Sequence, residues 1–169
     1  TRLRELLSQY LSTVLQKQGN GKLTQIPPEW IWAANGSNEV LSHIVQAFAG
    51  PGRTGLGFEP SYSMHPLITT STGATWIEAS RNDDFTLDVD TAVSAVREHK
   101  PDVTFICTPN NPTGCSTRLQ VVEAVLEVTA GIVIVDEAYA EFARPGFQTA
   151  LVLLPDNPRL VVSRTMSKA

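Results

Sequence analysis

Four short stretches carry side chains suited to chemistry. The last is "RTMSKA" (164–169), which places Thr165, Ser167 and Lys168 directly behind the apolar run "LVVS". A lysine alone reads as a solvated or frayed surface group. Held in apolar or cationic surroundings, it falls from its free value of about 10.4 and becomes an amine able to form a Schiff base. "GIVIVDEAY" sends Asp136 off the end of a buried run. A carboxylate there is costly unless it meets a cation or several donors, and alone it reads equally as a helix cap or a structural ion pair. "TPNNPTG" (108–114) offers the Asn111 amide, which donates or accepts, within what is otherwise a rigid turn. "GSNE" (36–39) opens a helix whose free N–H groups and dipole suit a phosphate, although a plain N-cap is the simpler account of that tetrapeptide.

These stretches need elements to hold them. Leu3, Leu6, Leu7, Tyr10, Leu11, Val14 and Leu15 follow a helical period to about Lys17, and "QGNGK" breaks it. "IPPEW" reads as a loop and "IWAAN" (31–35) as a short strand. The next helix presents Val40, Leu41, Ile44, Val45 and Phe48 and stops at "GPG" (50–52). Further strands are expected at "RTGLGF", "ATWIEA", "VTFIC", "GIVIVD" and "RLVVS". Between them fall a short helix entered through Pro60, a helix capped by Asp88 and ended by Pro101, and one capped by Thr117 with Gln120 in the capping-box position.

Alternation of helices with strands that are apolar throughout predicts an α/β fold, a mostly parallel sheet with helices on both faces. Ligands of such sheets collect beyond the carboxyl ends of the strands, where the chemical stretches fall. Together, a phosphate cradle, an amide, a buried carboxylate and a reactive lysine meet the requirements of pyridoxal 5′-phosphate. The Asp136 carboxylate would keep the protonated ring nitrogen an electron sink. At roughly 3 Å and an effective dielectric near 20, that attraction is about 5 kcal/mol before desolvation.

Composition excludes other classes. With 169 residues, 42% apolar and 18% charged, the chain is sized for one domain with a core. A net charge of −4 without a basic block argues against nucleic acid or an anionic membrane surface as the main partner, and no apolar run spans a bilayer. Cys107 and Cys115 form no CxxC pair and His43, His65 and His99 are scattered, so no metal site and a reduced, cytoplasmic protein are expected. No GxGxxG follows the first strand, which disfavours a dinucleotide-binding domain. Cys107 is expected to be a small buried strand residue, Cys115 a partly exposed thiol, His65 structural and Arg53 a surface or interface charge. The chain begins without Met and inside a helical pattern, so it is expected to be a segment of a longer protein.

"TPNNPTG", "VDEAY" and "SRTMSKA", in that order, resemble the fold-type-I pyridoxal-phosphate aminotransferases. "WAANGSNEVL", "PSYSMHP" and "RTMSKA" are most similar to the histidinol-phosphate aminotransferases among them. The resemblance covers nearly everything from Trp30 on. It implies residues 1–29 as a helix and loop leading in, and residues 30–169 as most of the large cofactor-binding domain.

The resemblance also implies roles. Lys168 would hold the cofactor aldehyde and shuttle the proton between Cα and C4′. Asp136 would pair with the ring nitrogen, Asn111 and Tyr139 with the ring 3-oxygen, and Tyr62 would stack on the ring. Ser37 and Asn38 would give backbone donors to the phosphate, and Thr165 and Ser167 hydroxyl donors. The implied reaction passes the amino group of L-histidinol phosphate to 2-oxoglutarate, giving imidazole-acetol phosphate and L-glutamate in ping-pong fashion. The implied assembly is a homodimer with sites at the interface. Further site groups, including a phosphate-binding arginine, a substrate-binding arginine and an N-terminal arm, are expected outside these residues. This segment alone is therefore expected to be inactive and to bind the cofactor weakly or not at all. An aromatic aminotransferase would share every motif quoted. A phosphothreonine decarboxylase is a more distant relation, and an inactive fragment of the same fold is the reading from another class.

Overall fold

Five strands form one parallel sheet: β1 (Thr54–Glu59), β2 (Thr75–Ser80), β3 (Val103–Cys107), β4 (Ile132–Asp136) and β5 (Leu160–Ser163), in the order β2-β1-β3-β4-β5. The computed structural model describes residues 1–18 and 23–168. The break expected at "QGNGK" falls largely on residues 19–22, and with Ala169 these lie outside the described residues.

β3 and β4 are apolar but for Thr104 and the terminal Asp136, because both of their faces are covered. On one face, α2 (Ser37–Phe48) and α3 (Met64–Ser71) pack Leu41, Ile44, Val45 and Ile68 against Val103, Phe105 and Ile134. On the other, α4 (Val89–His99) and α5 (Leu119–Val128) cover Ile106, Val133 and Val135. The period of two along each strand sends alternate residues to alternate faces. α1 (Arg2–Gln18) adds a smaller cluster in which Leu15 meets Ile26 and Leu151.

The Asp88 cap of α4 is as expected, its side chain accepting from the Thr91 N–H. Three expectations are corrected. Residues 31–35 are not a strand: they run unpaired from a 3₁₀ turn (Pro28–Trp30) into α2, and Trp32, 56% exposed, stacks on His43. Thr117 does not cap α5. The cap position is Arg118, and the Thr117 N–H is drawn instead to the Thr108 hydroxyl. Phe48 ends the apolar stripe of α2 at 43% exposure and stays out of the core.

Two close approaches depend on glycine. A Cβ at Gly57 would lie 2.6 Å from the Trp76 ring, so this glycine lets the tryptophan of β2 lie across β1. At Gly131 a Cβ would meet the backbone carbonyls of Pro101 and Asp102, which hold the entry of β4 beside β3. Backbone yields less than a side chain tip. Gly131→Ala is therefore expected to destabilise the full-length protein by about 1–3 kcal/mol. A lowered urea midpoint at unchanged m-value would report it.

Among the described residues no helix is long and apolar enough to cross a membrane.

Candidate active site

The register of the sheet creates the site. Cys107, Asp136 and Ser163 are paired side by side at the carboxyl ends of β3, β4 and β5. A cavity of about 260 Å³ opens at this edge. All nine residues singled out from the sequence line it: Ser37, Asn38, Tyr62, Asn111, Asp136, Tyr139, Thr165, Ser167 and Lys168.

Asp136 is 1% exposed, and its burial is matched by donors. Ser163 Oγ donates to Oδ1 at 2.8 Å, and the Ala138 N–H reaches the same oxygen at 3.2 Å. His65 Nε2 lies 3.0 Å from Oδ2. An ionised carboxylate only accepts, so Nε2 carries the proton in this pair. His65 is held in turn by stacking on Phe105, with centroids 4.5 Å apart. A carboxylate has about four lone-pair sites. Three are used here, which leaves capacity for one more donor from the cavity.

α2 enters through Gly36, whose φ of +85° is a conformation that side-chain-bearing residues seldom adopt. No side chain caps this helix. Glu39 accepts the Asn35 N–H at 2.5 Å, and the first-turn residues Ser37 and Asn38 border the cavity. Such a terminus favours an anion. The Asn38 amide meets the Tyr62 hydroxyl at 3.3 Å, and the Tyr62 ring stands edge-on to His65.

The loop that carries Asn111 is pinned by its neighbour. Asn110 is buried and accepts from Ser61 Oγ and Arg81 Nη2 at Oδ1. Its Nδ2 donates to the Pro60 carbonyl and to Thr113 Oγ1. Arg81 also reaches the carbonyls of Phe58, Phe85 and Cys107, tying the ends of β1 and β3 to this loop. Burial pulls the Arg81 guanidinium below its usual value.

Lys168 follows β5 by a short loop, and its Nζ sits 5.8 Å from the centre of the Tyr139 ring. In that loop the Thr165 and Ser167 hydroxyls are 2.9 Å apart. Cys107 borders the cavity as a neutral thiol, since burial, helped by the Asp136 charge, pushes it up to about 12.

His65 was expected to be structural, and it is buried at 2% exposure, yet its partner is the cavity carboxylate. Its position shortly after Tyr62 in "PSYSMH" was the available signal. Arg81, Asn110, Glu137 and Arg164 were given no role by sequence reasoning. Glu137 is fully buried, and Arg164 donates to it at 2.7 Å.

The geometry suits a small ligand with an anionic end at α2, a flat ring between Tyr62 and the strand ends, a donor toward Asp136 and a carbonyl within reach of Lys168. Comparisons with known proteins identify the family. The histidinol-phosphate aminotransferase of Thermobifida fusca is 52% identical over the whole chain. That of Mycolicibacterium smegmatis is 58% identical over 83% of it. The chain spans 43% and 37% of the lengths of these two relatives. The crystal structure of a Sinorhizobium meliloti histidinol-phosphate aminotransferase with pyridoxal-5′-phosphate superposes with a TM-score of 0.71 over 79% of this chain and 37% of that one, at 22% identity, a likeness of fold. The family model described as aminotransferase class I and II matches residues 1–169, and the chain belongs to that family.

Proposed function

We propose that this chain is the cofactor-holding part of a pyridoxal-phosphate enzyme that transfers the amino group of L-histidinol phosphate to 2-oxoglutarate. The observation that carries the chemistry is the convergence of Asp136, Asn111, Tyr139, Lys168 and the open end of α2 on one cavity. The identity of 52–58% to histidinol-phosphate aminotransferases carries the choice of substrate. Residues 30–169 form, in this reading, most of the large domain of a homodimeric enzyme, with residues 1–29 leading into it. A reducing cytoplasm suits its two free cysteines.

Bound here, the cofactor would act as the electron sink for the bond broken at the substrate Cα. The protein supplies the rest. Ser37 and Asn38 at the start of α2, with Thr165 and Ser167, would hold the phosphate. Tyr62 would cover one ring face, and Asn111 and Tyr139 would be the partners of the ring 3-oxygen. The fourth acceptor site of Asp136 would be free for the ring N–H, and His65 and Ser163 keep that carboxylate oriented. Lys168 Nζ would hold the cofactor aldehyde carbon and, once the substrate amine has displaced it there, would be the free base that moves a proton between Cα and C4′. The donor would leave as a ketone with its amino group retained by the cofactor, from which 2-oxoglutarate would take it in the second half.

Turnover of the full-length protein tests the substrate. We expect kcat/KM for L-histidinol phosphate to exceed that for phenylalanine by at least about 100-fold, since an enzyme built to hydrogen-bond a polar substrate group rejects an analogue that lacks it. The opposite preference would assign an aromatic aminotransferase, and release of CO2 a decarboxylase.

A further inference from the structure

We propose that Arg164 is a positioning residue for the lysine loop, locked by the buried carboxylate of Glu137, so that both the cavity carboxylate and the lysine are registered from the end of a single strand. The proposal rests on the cofactor reading above.

Asp136 and Glu137 are consecutive, and both are buried, yet they serve different partners. Asp136 borders the cavity, whereas neither Glu137 nor Arg164 does. Glu137 Oε1 accepts the Ala150 N–H at 2.6 Å. Its Oε2 accepts from Thr149 Oγ1 at 2.6 Å, Arg164 Nη2 at 2.7 Å and Arg164 Nε at 3.1 Å. Arg164 Nη2 also reaches Thr149 Oγ1 at 3.1 Å, and Nη1 reaches Glu141 Oε1 at 3.0 Å. The same Glu141 oxygen accepts the Tyr10 hydroxyl of α1 at 2.7 Å. The Glu137 N–H is bound to the Ser163 carbonyl, one residue before Arg164.

Every nitrogen of the guanidinium is thus directed, and its backbone leads straight into Thr165, Ser167 and Lys168. A planar fork held on three sides fixes the direction in which the chain leaves β5, which a lysine's point charge does not do. The loop beyond has little else to fix it, since Thr165 and Ser167 bond mainly to each other. Burial raises the Glu137 carboxyl and Arg164 opposes this. The two residues are therefore matched, and neither is neutral to lose alone.

The test uses full-length apoprotein titrated with pyridoxal 5′-phosphate, with Arg164→Lys and the double variant Glu137→Gln with Arg164→Gln. The double variant leaves no unpaired buried charge, so it stays folded where a single change fails. We expect cofactor affinity to fall at least about tenfold in both and the visible circular dichroism at saturating cofactor to change shape, with the double variant's apoprotein melting within a few degrees of wild type. A merely structural pair would lower the melting temperature and leave the affinity and the visible signal at wild-type values, which overturns the proposal. A wild type without any Lys168-dependent visible band would instead bring down the cofactor reading, and this proposal with it.

Discussion

Lys168→Ala in the full-length protein is expected to abolish the lysine-dependent visible absorbance formed with pyridoxal phosphate and to lower transamination by at least about 10⁴-fold. Two losses combine. The variant cannot hold the aldehyde carbon, and no other amine replaces it, since Lys168 is the only lysine bordering the cavity among the described residues. It also loses the base that moves the proton between Cα and C4′. Neither Cys107, held neutral by burial, nor His65, engaged with Asp136, substitutes for it. The exposed setting of Lys168 near Tyr139 makes the substitution gentle on the fold, so an unchanged melting temperature should accompany the loss. Wild-type activity in the variant would make Lys168 the solvated lysine that its sequence context alone suggests. Added primary amine restoring part of the activity would place the defect in proton transfer.

Strands β3 and β4 were legible because unbroken apolar runs between turn signals leave few alternatives, and the site followed from asking what lies beyond their ends. The run at 31–35 misled for the same reason: apolar residues can pack on a neighbour without pairing, as Trp32 does on His43. Thr117 had the composition of a cap but lies one residue too early, its N–H claimed by Thr108 across the loop. The supporting shell escaped altogether. Arg81 lies 29 residues from Asn110, Glu137 lies 27 from Arg164, and His65 lies 71 from Asp136. Such pairings depend on which strand ends become neighbours, and local spacing carries no trace of them. Asn110, Glu137, Arg164 and His65 all sit inside the quoted motifs, but the partner each one meets is set by the order of the strands and not by the motif.

Asp136→Asn separates the shape of the site from its charge. The amide is nearly isosteric, and the surroundings can absorb it. His65 can shift its proton to the other ring nitrogen and accept from the new amide N–H, while Ser163 and the Ala138 N–H keep the remaining oxygen. Melting temperature and cofactor affinity should therefore change little. What disappears is the negative charge that would hold a proton on the ring nitrogen, an attraction of about 5 kcal/mol before desolvation, and without that proton the ring would be a poorer electron sink. We expect kcat to fall by about 10³-fold, with the full Coulomb figure discounted for desolvation, while cofactor affinity stays within about tenfold. Stopped-flow measurement of the first half-reaction would resolve the step. A loss of affinity equal to the loss of rate would mean that Asp136 serves binding alone. An unchanged rate would make it a structural carboxylate for His65 and Ser163, and the electron sink would then have to be sustained without a counter-charge, since no other carboxylate borders the cavity among the described residues.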